Sequence, residues 1–151
     1  MKILRCLVLI FVFISLLVSC TSSYNDTREV GERIADSLGD YVRIYYSLSD
    51  ELEDEYMSSD LPISLYGDGV SLPSNYTLIL SSRPDRILEI GVFLSPSRDR
   101  SLELADLFLL RIREVDKWTG ASGEVMIVKN LVIYYVSDLD EDLRDLIESS
   151  V

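Results

Sequence analysis

Apolar positions recur every fourth residue at Val30, Ile34 and Leu38, the spacing of one face of an α-helix. Asp26 precedes that stripe, with Glu29 three residues on, which predicts a capping box at the helix start; Gly39 predicts its end. Gly31 falls inside this helix, where it costs about 1 kcal/mol relative to alanine. The stretch from Tyr41 to Leu48 is aromatic and aliphatic without a deciding period, so pattern alone assigns it neither helix nor strand. Ser49 predicts the cap of a second, acidic helix from about Asp50 to Met57, with Leu52 and Tyr56 as its apolar pair. Pro62 to Tyr66 predicts one further turn at most, ended by Gly67-Asp68-Gly69, and Pro73-Ser74 break the chain again.

From Tyr76 the period changes to two. Tyr76, Leu78 and Leu80 alternate with Thr77, Ile79 and Ser81, and Ser82-Arg83-Pro84-Asp85 reads as a turn. Leu88, Ile90, Val92 and Leu94 then share one face of a strand, with Glu89 and Gly91 on the other, which predicts an antiparallel hairpin buried on one side. A long helix is predicted from about Arg98 to Trp118, with Ala105, Phe108, Leu109, Ile112 and Val115 along one face and Leu104, Leu107 and Leu110 widening it. Gly120 and Gly123 end it. Val125 to Val128 and Leu131 to Val136 read as two more strands joined at Lys129-Asn130, the second apolar on both faces and therefore central. Ser137 or Asp138 is placed to cap a last helix carrying Leu143, Leu146 and Ile147.

The order strand-strand-helix-strand-strand-helix, preceded by small N-terminal helices, predicts the α+β class. The sheet should be mainly antiparallel with about four strands, and the helices should collect on one face.

The N-terminus has a different pattern. Lys2 and Arg5 are followed by an uncharged run from Cys6 to Ser19. A run of 14 residues spans about 21 Å of helix, short of the ~30 Å bilayer core, and fits the apolar part of a cleaved export signal. Leu17-Val18-Ser19-Cys20 resembles a bacterial lipobox. The resemblance implies that the signal is cut before Cys20 and that the Cys20 thiol carries a diacylglycerol. Two acyl chains make such an anchor stable, where one would be marginal. The expected organisation is a cleaved signal over 1–19, a lipidated cysteine and short tether over 20–25, and one α+β domain over 26–151. The expected location is the extracytoplasmic side of a bacterial membrane, inner or outer.

Composition then removes whole classes of chemistry. Cleavage leaves 132 residues, enough for one domain with its own core. Histidine is absent, and Cys6 and Cys20 are the only cysteines, so the domain lacks the commonest general base, a cysteine nucleophile, a disulfide and the usual zinc ligands. Loss of Lys2 and Arg5 leaves 12 basic against 26 acidic side chains, a net charge of −14. That balance argues against nucleic acid binding, and it argues that the body of the protein stands off an anionic lipid surface.

The candidate sites are few. The acids from Asp50 to Glu55 suit a solvated helix start better than a cation site, because consecutive helix positions point in different directions. Asp138, Asp140 and Asp142 have the opening spacing of an EF-hand, but Leu143 and Ser149 stand where glycine and glutamate are required. No metal site and no cofactor follow. Lys117 and Lys129 lack the partner serine of a Ser-Lys dyad. Nine tyrosines, including Tyr41, Tyr45, Tyr46, Tyr134 and Tyr135, fit either a surface for a protein, peptide or glycan or ordinary half-buried strand positions; Tyr41, Tyr45 and Tyr46 are the candidate partner surface.

A second resemblance spans most of the domain. Leu65-Tyr66-Gly67 before a strand, the strand Ile87 to Leu94, Leu110 to Arg113 in the long helix and a strand ending Val136-Ser137-Asp138 resemble a bacterial lipoprotein family known as domain of unknown function four-three-five-eight. Trp118-Thr119-Gly120 stands where that family carries a tyrosine-proline pair. The resemblance implies no activity. The functional expectation is a non-enzymatic binding module of the cell envelope; the alternative is a small hydrolase of envelope glycans using two carboxylates.

Overall fold

The alternation read from Tyr76 onward belongs to a larger sheet than the sequence predicts. The computed structural model describes residues 23–47, 60–139 and 142–151. The signal, Cys20, the acidic helix expected over 50–57 and Asp140 lie outside the described residues. The elements are α1 (Arg28–Leu38), β1 (Val42–Tyr46), α2 (Asp60–Tyr66), β2 (Tyr76–Ser81), β3 (Leu88–Leu94), α3 (Arg98–Thr119), β4 (Ser122–Val128), β5 (Leu131–Ser137) and α4 (Leu143–Ser150). The fold is α+β. Five strands, rather than about four, form one sheet in the order β1-β2-β3-β5-β4, with every neighbouring pair antiparallel. The additional strand is β1, from the stretch whose period decided nothing.

The helices occupy both faces of the sheet, not one. The reason lies in β3 and β5, which are apolar on both sides. Ile90, Val92, Leu131 and Ile133 face Val30, Ile34 and Leu38 of α1 and Leu143 and Ile147 of α4. Phe93, Val132, Tyr134 and Val136 face Leu104, Phe108 and Ile112 of α3 and Leu61, Leu65 and Tyr66 of α2. A strand with two apolar faces needs two covers. The expectation that β3 is buried on one side is corrected by the same fact: Glu89 and Gly91 lie under α3 and are buried.

The helix ends depart from their predicted caps. The Asp26 carboxylate accepts the Arg28 N–H at 3.1 Å, while Glu29 stays in solvent beside Arg33 and closes no capping box. The Thr27 hydroxyl instead bonds to Thr77 and Asn75 and so ties α1 to β2. Gly31 has a packing role. A Cβ there would lie 2.5 Å from Thr77 Cγ2, so only glycine lets α1 approach β2 this closely. In α3, Ser97 caps the Arg100 N–H and Gly120, with φ of 73°, closes the far end. Its buried line runs through Ser101, Leu104, Phe108 and Ile112, leaving Leu109 and Leu110 exposed. Asp142 caps α4. Ser137 and Asp138 are used elsewhere, accepting from the Leu139 and Ile87 N–H groups respectively.

Strand direction gives the sheet two distinct ends. Helix α3 leaves β3 after Leu94, at the end where β5 begins at Leu131, and delivers the chain to the opposite end, where β4 starts beside Ser137. Strands β3 and β4 therefore run parallel with β5 between them, a split β-α-β arrangement. Among the described residues no helix is long and apolar enough to cross a membrane.

Candidate functional site

At the end of the sheet where α3 finishes, α2 and the last turns of α3 stand apart over β3. The gap is an open cleft of about 610 Å³, bounded by Ile63, Tyr66, Glu89, Arg111, Glu114 and Trp118. Its floor is a buried polar network. Glu89 is only 7% exposed, and its carboxylate accepts two hydrogen bonds from the Arg111 guanidinium, Nε at 3.0 Å and a terminal nitrogen at 2.8 Å. The Tyr134 hydroxyl donates to the same carboxylate at 2.5 Å. With its proton committed to Glu89, the Tyr134 oxygen accepts from the Tyr66 hydroxyl, 2.5 Å away. Four side chains from α2, β3, α3 and β5 thus form one directed chain of donors ending on a single carboxylate.

Local sequence explains how these groups meet. Glu89, Gly91 and Phe93 alternate along the face of β3 that α3 covers. Gly91 pairs directly with Tyr134 across the ladder, and a Cβ on residue 91 would lie 2.3 Å from the Tyr134 ring and 2.5 Å from Phe93. The missing side chain lets the tyrosine ring lie across β3, with its hydroxyl directed at Glu89. Phe108 of α3 stacks on Tyr134 with centroids 4.5 Å apart and tilts against Phe93 at the same distance. This aromatic layer supports the cleft floor.

The electrostatics of the floor are those of a closed system. Burial pushes the Tyr66 and Tyr134 hydroxyls well above the ordinary tyrosine range, and the Glu89 charge adds to the effect in both. The hydrogen bond to Glu89 raises the Arg111 guanidinium further still. Both tyrosines are therefore neutral donors at physiological pH. The walls differ from the floor. Trp118, the only tryptophan of the chain, is 78% exposed at the mouth with Lys117 Nζ 5.3 Å from its ring centre, and Ile63 and Glu114 are exposed beside it.

Tyr41, Tyr45 and Tyr46 are not brought together. Alternation along β1 sends Tyr45 to the face covered by α2 and α3 and Tyr46 to the α1 face, where Tyr41 also packs. Tyr46 is buried, with its hydroxyl on Glu32 and Arg28 over its ring. Among the described residues no group of three or more acids could hold a metal ion.

Sequence reasoning does not single out Glu89, Arg111, Tyr66 or Trp118 as a site, and offers Tyr134 only as one of the tyrosines that could pave a surface. Two signals were present: a glycine inside a strand, which marks a close approach, and Phe93 on the face assigned to solvent. Comparison with family models, with characterised proteins and with solved structures returns no match.

Proposed function

We propose that this chain is a lipid-anchored extracytoplasmic binding module, held by Cys20, whose cleft between α2 and α3 receives a peptide, protein segment or glycan. The observation that carries the reading is the division of labour in the cleft: a buried floor whose Glu89, Arg111, Tyr66 and Tyr134 bond to one another, beneath a mouth where Trp118, Ile63 and Glu114 are exposed. Trp118 offers a large flat ring at low entropic cost, Ile63 adds apolar surface, and Glu114 and Lys117 give the mouth one charge of each sign. A neutral or zwitterionic ligand suits that lining.

The two-carboxylate hydrolase is the second reading, because Glu89 and Glu114 both border the cleft. Such an enzyme needs one carboxyl group to give up a proton and another to offer a free oxygen. Glu89 accepts three hydrogen bonds and is paired with a guanidinium, so both of its oxygens are engaged. This favours binding.

The lone tryptophan supplies the test. Titration of the purified protein with muropeptides, oligosaccharides and basic peptides should shift or quench Trp118 emission for one ligand class, and Ile63→Arg should abolish the response. Turnover of a glycoside by the native chain, lost on Glu114→Gln alone, would instead establish the hydrolase.

A further inference from the structure

The opposite end of the sheet has a different surface, and the described chain begins there. The Tyr24 backbone N–H donates to Asn130 Oδ1 at 2.8 Å, and Asn130 Nδ2 returns a bond to the Tyr24 carbonyl, also at 2.8 Å. Lys129 Nζ lies 5.0 Å from the centre of the Tyr24 ring. Tyr24 is thus clamped to the β4–β5 turn. Three residues lie between Cys20 and Tyr24, so four Cα–Cα steps give a reach of at most about 14 Å when extended. Whatever holds Cys20 therefore holds this end of the domain close to it.

Two neighbouring clefts floor this end, one between Tyr24 and the start of β2, the other between the β3–α3 loop and β4. None of their lining residues is acidic, in a chain with 26 acids. Their two charged residues are the exposed cations Arg98 and Lys129. Beside them stand Leu102, 51% exposed, and Ile127, 44% exposed. The nearest acids in sequence are Asp26, whose carboxylate is engaged by the Arg28 N–H, Asp99 in the first turn of α3, and Glu103, which is paired with Arg100.

We infer that this end, through Arg98, Lys129, Leu102 and Ile127, docks on the anionic lipid surface in which Cys20 is anchored, and that the Trp118 cleft faces away from the membrane. The inference rests on the lipidation of Cys20. Charge complementarity and tether length both favour the bilayer as the occupant: the cations attract lipid phosphates, and the two aliphatic side chains enter the headgroup region. The expectation that the whole body stands off the membrane is replaced by a polarised one. Helix α3, about 33 Å long for its 22 residues, spans the distance from the docked end to the cleft.

The test uses the acylated full-length product, reconstituted into phosphatidylglycerol–phosphatidylethanolamine vesicles. Single nitroxides are placed through Leu102→Cys, Ile127→Cys or, at the cleft end, Lys117→Cys, and radiolabelled palmitate on Cys20 is measured in parallel. The expected result is acylation together with a several-fold rise in oxygen over nickel-complex accessibility at 102 and 127 and none at 117. Arg98→Glu with Lys129→Glu should return both labels to water without loss of palmitate. Acylated protein with 102 and 127 in water overturns the docking and leaves the anchor standing. Absence of palmitate from Cys20 overturns both.

Discussion

Replacing Arg111 with methionine removes the cation from the floor of the cleft and keeps its aliphatic bulk. The Arg111 and Glu89 side chains are only 19% and 9% exposed, so the orphaned carboxylate remains largely out of water with one hydrogen bond, from Tyr134. Removing one partner of a buried ion pair costs about 3–5 kcal/mol. Glu89 borders the cleft, from which water can reach it, so the lower end applies and about 3 kcal/mol is expected at pH 7. For a domain of this size that is a fall in Tm of roughly 10 °C, read by far-ultraviolet circular dichroism. The double variant Arg111→Met with Glu89→Gln removes the uncompensated charge and keeps an acceptor for Tyr134, so it should recover more than half of the loss. A single-variant cost below about 1 kcal/mol, or a double variant worse than the sum of the singles, would refute the idea that a closed ion-pair network holds the floor.

Three further outcomes follow from the same geometry. Spectrophotometric titration at alkaline pH should show Tyr66 and Tyr134, the most strongly raised of the four shifted tyrosines among the described residues, refusing to ionise near pH 10 until the protein unfolds, while Tyr76 and Tyr135 ionise later than a free tyrosine but in the folded state. Their folded-state values are raised, so the unfolded chain loses these protons first; the associated stability is complete below about pH 10 and is lost as pH rises beyond it. Gly91→Ala should cost about 2–3 kcal/mol by driving the Tyr134 ring off β3, and should bring Tyr66 and Tyr134 into the ordinary titration range; an unchanged titration would contradict the role given to Gly91. Asn130→Ala removes both side-chain bonds to Tyr24 and should cost about 1–2 kcal/mol, with loss of hydrogen-exchange protection at the Tyr24 amide and little change at Ile90.

How much of this could be read from the chain depends on how local each signal is. The Val30, Ile34 and Leu38 stripe, the β2–β3 hairpin and the limits of α3 follow from spacing within one segment, and the structure contains them. Strand β1 escaped because Tyr41, Val42, Ile44, Tyr45 and Tyr46 are apolar on both faces, and its two sides rest on different layers. The placement of helices on one face failed because period two locates a residue on a side of the sheet without saying what covers that side. Glu89 is the clearest example. Its alternation with Leu88 and Ile90 was correctly read, yet the opposite face is interior because α3 returns over it. The cleft network was illegible for a related reason. Tyr66, Glu89, Arg111 and Tyr134 come from four elements, and only the packing of α2 and α3 on one face brings them within hydrogen-bonding distance.

The central claim, a binding cleft presented outward by an anchored domain, is tested most directly in intact cells. A photo-crosslinking amino acid placed at Ile63, on the cleft mouth, is compared with one at Ser149, exposed on α4. The account predicts one defined adduct from position 63, in the palmitate-labelled fraction, absent from position 149 and lost when Trp118→Ala is added. Equal adducts from both positions, or an adduct from 63 unaffected by Trp118→Ala, would contradict it.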